Sequence, residues 1–305
     1  MRVAITGSTG LVGSEVVTVL AAAGHEVVRL VRRVPSPGEK AVLRWDPVKG
    51  AIDAAGLEGF DAVIHLAGEN IASGRWNAGR KAVLRDSRVD GTRLLCDALA
   101  GLVRPPKTLV CASAIGYYGD RGEESLTEES PPGTGFLAEL CREWEKASEP
   151  AARKGIRVVT LRIGVVLSSN GGALSRMLPL FRAGLGGVIG SGCQYISWVA
   201  LDDLPLIILH ALQCGFLRGP VNAVAPHPVT NREFTKAIGK ALSRPTPLPV
   251  PAFALRLAVG REMADALLLA SARVLPCRLE ATGYGFRFPE LPAALRHLLG
   301  KGKTP

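Results

Sequence analysis

Three glycines spaced by three, in Thr6-Gly7-Ser8-Thr9-Gly10-Leu11-Val12-Gly13, stand where a short apolar run over residues 2–6 gives way to a helical pattern. No other feature constrains the fold as tightly. Gly7 lets the chain turn sharply after a strand. Gly10 lets the backbone approach a pyrophosphate with no Cβ in the way, and Gly13 lets the helix pack close to the sheet. The helix N-terminus then offers free N–H groups and a positive dipole end to phosphates. An ordinary tight strand–helix turn is the alternative. The strand before and the helix after favour a dinucleotide loop, with Gly7, Thr9, Gly10, Leu11, Val12 and Gly13 as its contacts.

The rest of the first half repeats this alternation. Apolar runs at 25–31, 41–45, 61–66, 108–112 and 157–161 read as buried strands, and residues 14–23, 86–99 and 137–153 read as helices. Gly24 suits a helix C-cap. Apolar strands alternating with amphipathic helices predict an α/β, Rossmann-type, doubly wound parallel sheet covered on both faces. After residue 167 the pattern changes. Ser168-Ser169-Asn170-Gly171-Gly172 is a loop, and residues 184–192 hold five glycines in nine. A strand end over 198–203 and a helix over 204–214 follow. Pro245, Pro247, Pro249 and Pro251 then alternate before a helical stretch over 253–269. The expected division is a nucleotide-binding domain over 1–224, with 168–197 as a glycine-rich substrate-side excursion, and a smaller C-terminal substrate lobe over 225–305.

The end of the second strand sets the cofactor. An NAD site places Asp or Glu there to take the ribose hydroxyls. This chain has Val31-Arg32-Arg33. A carboxylate repels a 2′-phosphate, whereas a guanidinium holds it with paired charge-assisted hydrogen bonds. NADP(H) is therefore the expected cofactor, with Arg32 favoured and Arg33 beside it; both being solvated surface charges is the alternative. Asp46, at the end of the third strand, is a candidate for the adenine amino group or a turn-forming residue.

Composition excludes other classes. The chain has 305 residues, 47% of them hydrophobic, which is enough for a core without staples. No apolar run reaches the roughly 18–20 residues of a membrane span. Net charge is +10, but only 5% of residues are aromatic and the basic residues are spread along the chain. Without a basic tail, a helix-turn-helix or a stacking platform, a diffuse positive surface or an anionic small-molecule ligand explains the surplus better than nucleic acid. The six cysteines show no Cys-x-x-Cys and no His in ligand spacing, so neither a metal site nor a disulfide framework is expected. Free thiols and no leader pattern make the cytoplasm the expected compartment; a homo-oligomer is left open.

Further residues carry a family resemblance. Gly7/Gly10/Gly13 with His65-Leu66-Ala67-Gly68, Ser113 with Tyr118-Gly119, and Trp198-Val199-Ala200-Leu201-Asp202-Asp203 resemble an extended short-chain dehydrogenase/reductase (SDR). Gly68-Glu69-Asn70-Ile71-Ala72, Arg75-Trp76, Ser87-Arg88-Val89, Gly190-Ser191-Gly192 and Phe286-Arg287-Phe288-Pro289 make the chain similar to the atypical SDR subgroup of NAD-dependent epimerase/dehydratase "epimerase family" proteins. The likeness runs from Met1 to about Leu299. It implies cofactor contacts at the three glycines, Val31, Arg32, Leu66 and Ala67, with Gly68 and Glu69 continuing toward the nicotinamide. Arg88, where relatives carry Asn, is implied to reach cofactor phosphates or an anionic substrate.

The resemblance also exposes a departure. SDR chemistry uses Tyr-x-x-x-Lys, one helical turn apart, as its proton relay. Here Phe136 stands for the Tyr and Leu140 for the Lys. Ser113, at or next to the position of the SDR serine, and Tyr117 are the remaining catalytic candidates; Tyr118 suits loop structure and Glu139 a helix cap. Two readings follow: an NADP(H)-dependent oxidoreductase or epimerase with an unusual proton relay, or a non-catalytic NADP(H)-binding redox sensor or regulatory protein.

Overall fold

In the computed structural model, which describes residues 1–36, 38–39 and 41–300, the apolar runs become an eight-stranded sheet. The last five residues of the expected C-terminal lobe lie outside the described residues. Strands are β1 (Arg2–Thr6), β2 (Glu26–Val31), β3 (Val42–Asp46), β4 (Ala51–Ile52), β5 (Ala62–His65) and β6 (Thr108–Ala114). After the short β7 (Ser125–Leu126) come β8 (Arg157–Ile163), β9 (Val165–Leu167), β10 (Tyr195–Ile196), β11 (Trp198–Ala200) and β12 (Gly219–Ala223). Sheet order is β12-β8-β6-β5-β1-β2-β3-β4, parallel throughout except for the β3–β4 edge. The chain runs outward from β1 to one side, then returns to β5 and runs to the other. That reversal leaves a crevice beyond the C-terminal ends of β1 and β5, where ligands of such sheets bind.

Side-chain alternation explains the layers. Val3 and Ile5 of β1, with Ile64 of β5, enter a core with α1 (Leu11–Ala22) on one face, where Leu204, Ile207 and Ile208 also pack. Ala4 and Val63 enter the opposite core with Leu95 and Leu99 of α2 (Ala78–Gly101). Each such aliphatic side chain contributes about 1.5–3 kcal/mol on full burial, so a one-residue slip in register would forfeit a whole layer. A third core joins Leu167, Leu174, Leu178 and Phe181 to Phe234 and Ile238. The stretch after residue 167 thus packs with the C-terminal residues. No helix among the described residues is long and apolar enough to cross a membrane.

Several helix expectations change for local reasons. α2 begins eight residues before 86, because Asn77 caps it with its side chain accepting from Arg80 N at 2.8 Å. The helix expected over 137–153 is two, α3 (Phe136–Lys146) and α4 (Glu149–Arg153), with Pro150 at the start of the second. Proline supplies no N–H to continue the ladder but suits a first turn. After α5 (Gly172–Arg182), α6 (Leu204–Gln213) and α7 (Asn231–Leu242), the stretch expected over 253–269 breaks at Gly260, whose φ is +95°. It becomes α8 (Ala252–Val259), α9 (Arg261–Ala264) and one π-helical turn, Asp265–Leu269.

Candidate functional site

The glycine loop divides its work. Gly7 has φ +68°, and a Cβ there would lie 2.8 Å from Ala67 N. A Cβ on Gly13 would lie 2.1 Å from Gly7 O, so α1 meets the loop at a distance only glycine allows. Gly10 differs. Apart from Gly7 O at 3.3 Å nothing stands within 4 Å of its missing Cβ, and the residue is exposed. Gly10 is also the N-cap of α1 and contributes no side-chain cap, leaving first-turn N–H groups to a ligand. Thr9 is exposed, Val12 is half-buried, and the Leu11 side chain packs against Gly171 at 3.1 Å from the position of a Cβ. An open glycine face at an uncapped helix start fits a dinucleotide pyrophosphate.

At the end of β2 the two arginines part. Arg33 forks onto Glu39, with Nη1 2.8 Å from Oε2, and this hydrogen bond, then that from Ser36 N, holds the Glu39 carboxyl down at about 2. Arg32 is exposed and has no hydrogen-bond or ion-pair partner among the described residues; Val31 before it is half-buried. Asp46 is buried, and its Oδ1 accepts from Lys49 N at 3.4 Å, capping the turn Pro47–Lys49.

The ends of β1 and β5 are tied beneath the crevice. Thr6 Oγ1 accepts from both Leu66 N and Ala67 N at 3.2 Å, so its own proton goes to His65 Nδ1, 2.7 Å away. His65 therefore carries its proton on Nε2, which donates to Thr92 Oγ1 at 3.0 Å, where Trp144 Nε1 also donates. Burial pushes the His65 imidazole down to about 4, so it is neutral.

Past Ala67 the chain meets α2. Glu69 N donates to Ser87 Oγ at 3.2 Å, and Arg80 reaches Glu69 Oε2 at 3.4 Å. A Cβ on Gly68 would touch the Arg88 guanidinium at 3.5 Å. Arg88 donates from Nη2 to Glu69 O at 2.9 Å and from Nη1 to Leu84 O at 3.2 Å. No carboxylate pairs with it within 4 Å among the described residues, and burial lowers its pKa. Its guanidinium lies 5.1 Å over the Trp144 ring.

Arg88 faces a cavity of about 1100 Å³ at the C-terminal ends of β6 and β8. Phe136 and Leu140 line it, so both positions of the missing proton relay present apolar groups to the interior. Trp76 stands edge-on to Phe136 with ring centres 5.1 Å apart. Met263, Leu267 and Leu268 form the opposite wall. Arg75 ties this wall down by donating to Leu257 O at 2.7 Å, and Lys81 donates to Glu262 at 2.6 Å.

The two catalytic candidates are not brought to this cavity. In register, Ser113 pairs with Arg162 and Ala114 with Ile163. Successive strand side chains point to opposite faces, and it is Ala114 and Ile163 that line the cavity. Ser113 is 3% exposed, and its hydroxyl donates to Glu145 Oε1 at 2.8 Å. Arg162 Nε and Nη2 each donate to that carboxylate at 2.9 Å. Tyr117 is stacked by Arg162, whose guanidinium carbon lies 3.4 Å from the ring centre. Ser113 and Tyr117, expected at the substrate, pack in this structure around the Arg162–Glu145 pair and are not among the cavity's lining residues. Tyr118 is fully buried and donates to Asn222 Oδ1 at 2.7 Å, and Glu139 is exposed in the first turn of α3.

Sequence reasoning missed Ala114, Trp76, Trp144 and the 263–268 wall. Period-two alternation from the buried Cys111 would have placed Ala114 and Ser113 on opposite faces. For the wall, no local signal says which cavity an apolar stretch near the C-terminus covers. Among the described residues no cluster of three or more His, Cys, Asp or Glu is placed to hold a metal.

Comparison with known proteins bears on the family and the fold. The family model described as "NAD dependent epimerase/dehydratase family" matches residues 3–222, and one described as a domain of unknown function matches 250–298. An epimerase family protein of Mycobacterium bovis is 47% identical over 293 residues, covering 96% of each chain. The crystal structure of the human epimerase family protein SDR39U1 (isoform 2) with NADPH superposes with a TM-score of 0.90 at 38% identity, covering 98% of this chain and 99% of that one. A nucleoside-diphosphate sugar epimerase of Corynebacterium glutamicum gives 0.80 at 41% identity, over 99% of this chain but 58% of the other. With its glycine loop, its doubly wound sheet and these relatives, the chain belongs to the NAD-dependent epimerase/dehydratase family of Rossmann-fold proteins.

Proposed function

We propose that this protein is an NADP(H)-dependent oxidoreductase or epimerase acting on a small anionic substrate in the 1100 Å³ cavity. The observation that carries the cofactor is Arg32, exposed and unpartnered at the end of β2 where an NAD site would hold a carboxylate. Gly7, Thr9, Gly10, Leu11, Val12 and Gly13 would hold the pyrophosphate, and Val31, Arg32 and Arg33 the 2′-phosphoribose end. Asp46 would approach the adenine, and Leu66, Ala67, Gly68 and Glu69 would run along the nicotinamide half. When bound, the cofactor supplies a hydride donor or acceptor. Arg88 orients and neutralises the substrate's anionic group, and the apolar walls exclude water from the reacting centre.

Phe136, Leu140 and Ala114 favour a second reading, a nucleotide-binding regulator without turnover, because no hydroxyl or amine stands at the relay positions. One titration tests the cofactor assignment. NADPH is expected to bind at least about ten-fold tighter than NADH, the worth of a charge-assisted phosphate contact, and Arg32→Ala to erase the difference. Equal loss for both nucleotides would refute the 2′-phosphate role. Slow oxidation of bound NADPH in the presence of carbonyl compounds supports the enzyme; an indefinitely stable complex supports the regulator.

A further inference from the structure

Several polar atoms of the cavity's lining residues are committed to the protein itself. Asn70 Oδ1 accepts from Ala72 N at 2.9 Å, Asn231 Oδ1 accepts from Ile189 N at 2.8 Å, and Ser197 Oγ is bonded to Ala272 O at 2.8 Å. Asp120 Oδ1 accepts from Ser271 N at 3.1 Å. The Tyr195 and Thr134 hydroxyls and the Nδ2 groups of Asn70 and Asn231, all on lining residues, keep no protein partner among the described residues. Arg88, Arg176 and Arg261 line the cavity with Asp120, Glu262 and Asp265, and of these carboxylates Glu262 is paired with Lys81 and Asp265 with Arg256.

Arg88 stands apart from the other two arginines. Arg176 and Arg261 are exposed, and Arg261 Nε lies 3.8 Å from Asp265. Arg88 is half-buried, fixed by two backbone carbonyls and unpaired with any carboxylate within 4 Å among the described residues. Those bonds aim a pre-oriented cation at the interior without neutralising it. Trp144, whose ring centre lies 5.1 Å from the Arg88 guanidinium, and Leu140, Phe136, Trp76 and Ile71 line the same cavity and offer area but no hydrogen-bond acceptors. A half-buried guanidinium beside apolar side chains favours one anionic group carried by an apolar body.

We propose that the cavity takes an apolar ligand bearing a single carboxylate held by Arg88. This rests on the reading of the cavity as the substrate site, and it specifies that substrate's class. The Arg88 guanidinium accounts for the charge, and the Trp76–Phe136 pair with the Met263–Leu268 wall accounts for the apolar remainder.

Calorimetric titration of the full chain with octanoate, octanol and UDP-glucose, with and without NADPH, tests it. Octanoate is expected to bind at least about ten-fold tighter than octanol, and UDP-glucose not to compete. Arg88→Gln is expected to bring octanoate down to octanol, and Arg88→Lys to restore part of the difference. Equal binding of octanoate and octanol to the wild-type protein would overturn the role of Arg88, independently of whether any variant folds. Binding of UDP-glucose in competition with octanoate would overturn the ligand class. Octanoate binding in a protein that takes neither nucleotide would sustain this proposal while refuting the cofactor reading, so the two failures are distinct.

Discussion

Thr6 Oγ1 lies 2.7 Å from His65 Nδ1, and through that bond the ends of β1 and β5 are fixed where the nucleotide crevice opens. His65 is fully buried, neutral, and bonded at both ring nitrogens. A depressed histidine pKa means that the unfolded chain binds a proton the folded one does not. Its stabilising contribution is therefore full above about 6.5 and is lost as pH falls toward about 4. The loss amounts to on the order of 3 kcal/mol. Denaturant unfolding of wild type and His65→Gln between pH 7 and pH 4 checks this: the variant starts less stable, and the gap between the two should close as pH falls. A gap constant across that window would show that His65 is not the group responsible.

Gly13→Ala is expected to be severe. Its Cβ would stand 2.1 Å from Gly7 O and 2.8 Å from Gly7 C, both backbone atoms of a turn already held at a left-handed φ. Neither can rotate away as a side chain can. Overpacking of this kind costs about 1–3 kcal/mol or more, despite alanine's better helix propensity. Gly10→Ala is the contrast, since its nearest obstacle is 3.3 Å away. It should leave unfolding nearly unchanged and weaken nucleotide binding instead. Unfolding curves for the pair, set beside NADPH titrations, separate the architectural glycine from the ligand-facing one.

That contrast marks how far the sequence could be read. Gly7 and Gly13 announced the turn and the helix because each demands a conformation or an approach that only glycine permits, while Gly10 leaves an open face. The buried strands were legible for a similar reason: Val3-Ala4-Ile5 and Ala62-Val63-Ile64 are apolar on both faces, as an interior parallel strand must be. Helix ends were less legible, because a cap such as Asn77 lies outside the apolar period. The cavity wall was not legible at all. Met263 and Leu268 face Phe136 and Leu140 only because the chain returns after more than a hundred residues, and no local pattern encodes that meeting.

Thiol chemistry should discriminate among the cysteines. Cys141 lines the cavity, yet burial pushes its thiol up to about 12, so at neutral pH almost none is thiolate. Cys96 and Cys111 are buried in the core. Cys193 is exposed on the glycine-rich loop. Alkylation of the native protein with iodoacetamide at pH 7.5, followed by peptide mass mapping, is expected to label Cys193 first and Cys141 only after unfolding. Early labelling of Cys141 would mean that the cavity holds an activated thiol, which the geometry around Leu140 and Trp144 does not provide.

Ser113 and Ala114 offer the sharpest separation of structural from catalytic roles, because neighbours on one strand face opposite ways. Ser113 donates to a carboxylate that Arg162 already holds by two bonds, so Ser113→Ala removes one charge-assisted hydrogen bond and about 1–2 kcal/mol of stability. Glu145→Gln strips the 3%-exposed Arg162 of its counter-charge and should cost about 3–5 kcal/mol. Neither Ser113 nor Glu145 lines the cavity, and NADPH affinity should be unaltered in whatever fraction remains folded. Ala114→Ser is the reverse case. It adds a hydroxyl to a side chain that already faces open volume, so its effect on stability should stay within about 1 kcal/mol. Its effect on ligand affinity or slow turnover should exceed that of Ser113→Ala. A Ser113→Ala protein of normal stability with impaired turnover would reverse the assignment and bring the Ser113 hydroxyl back into the chemistry.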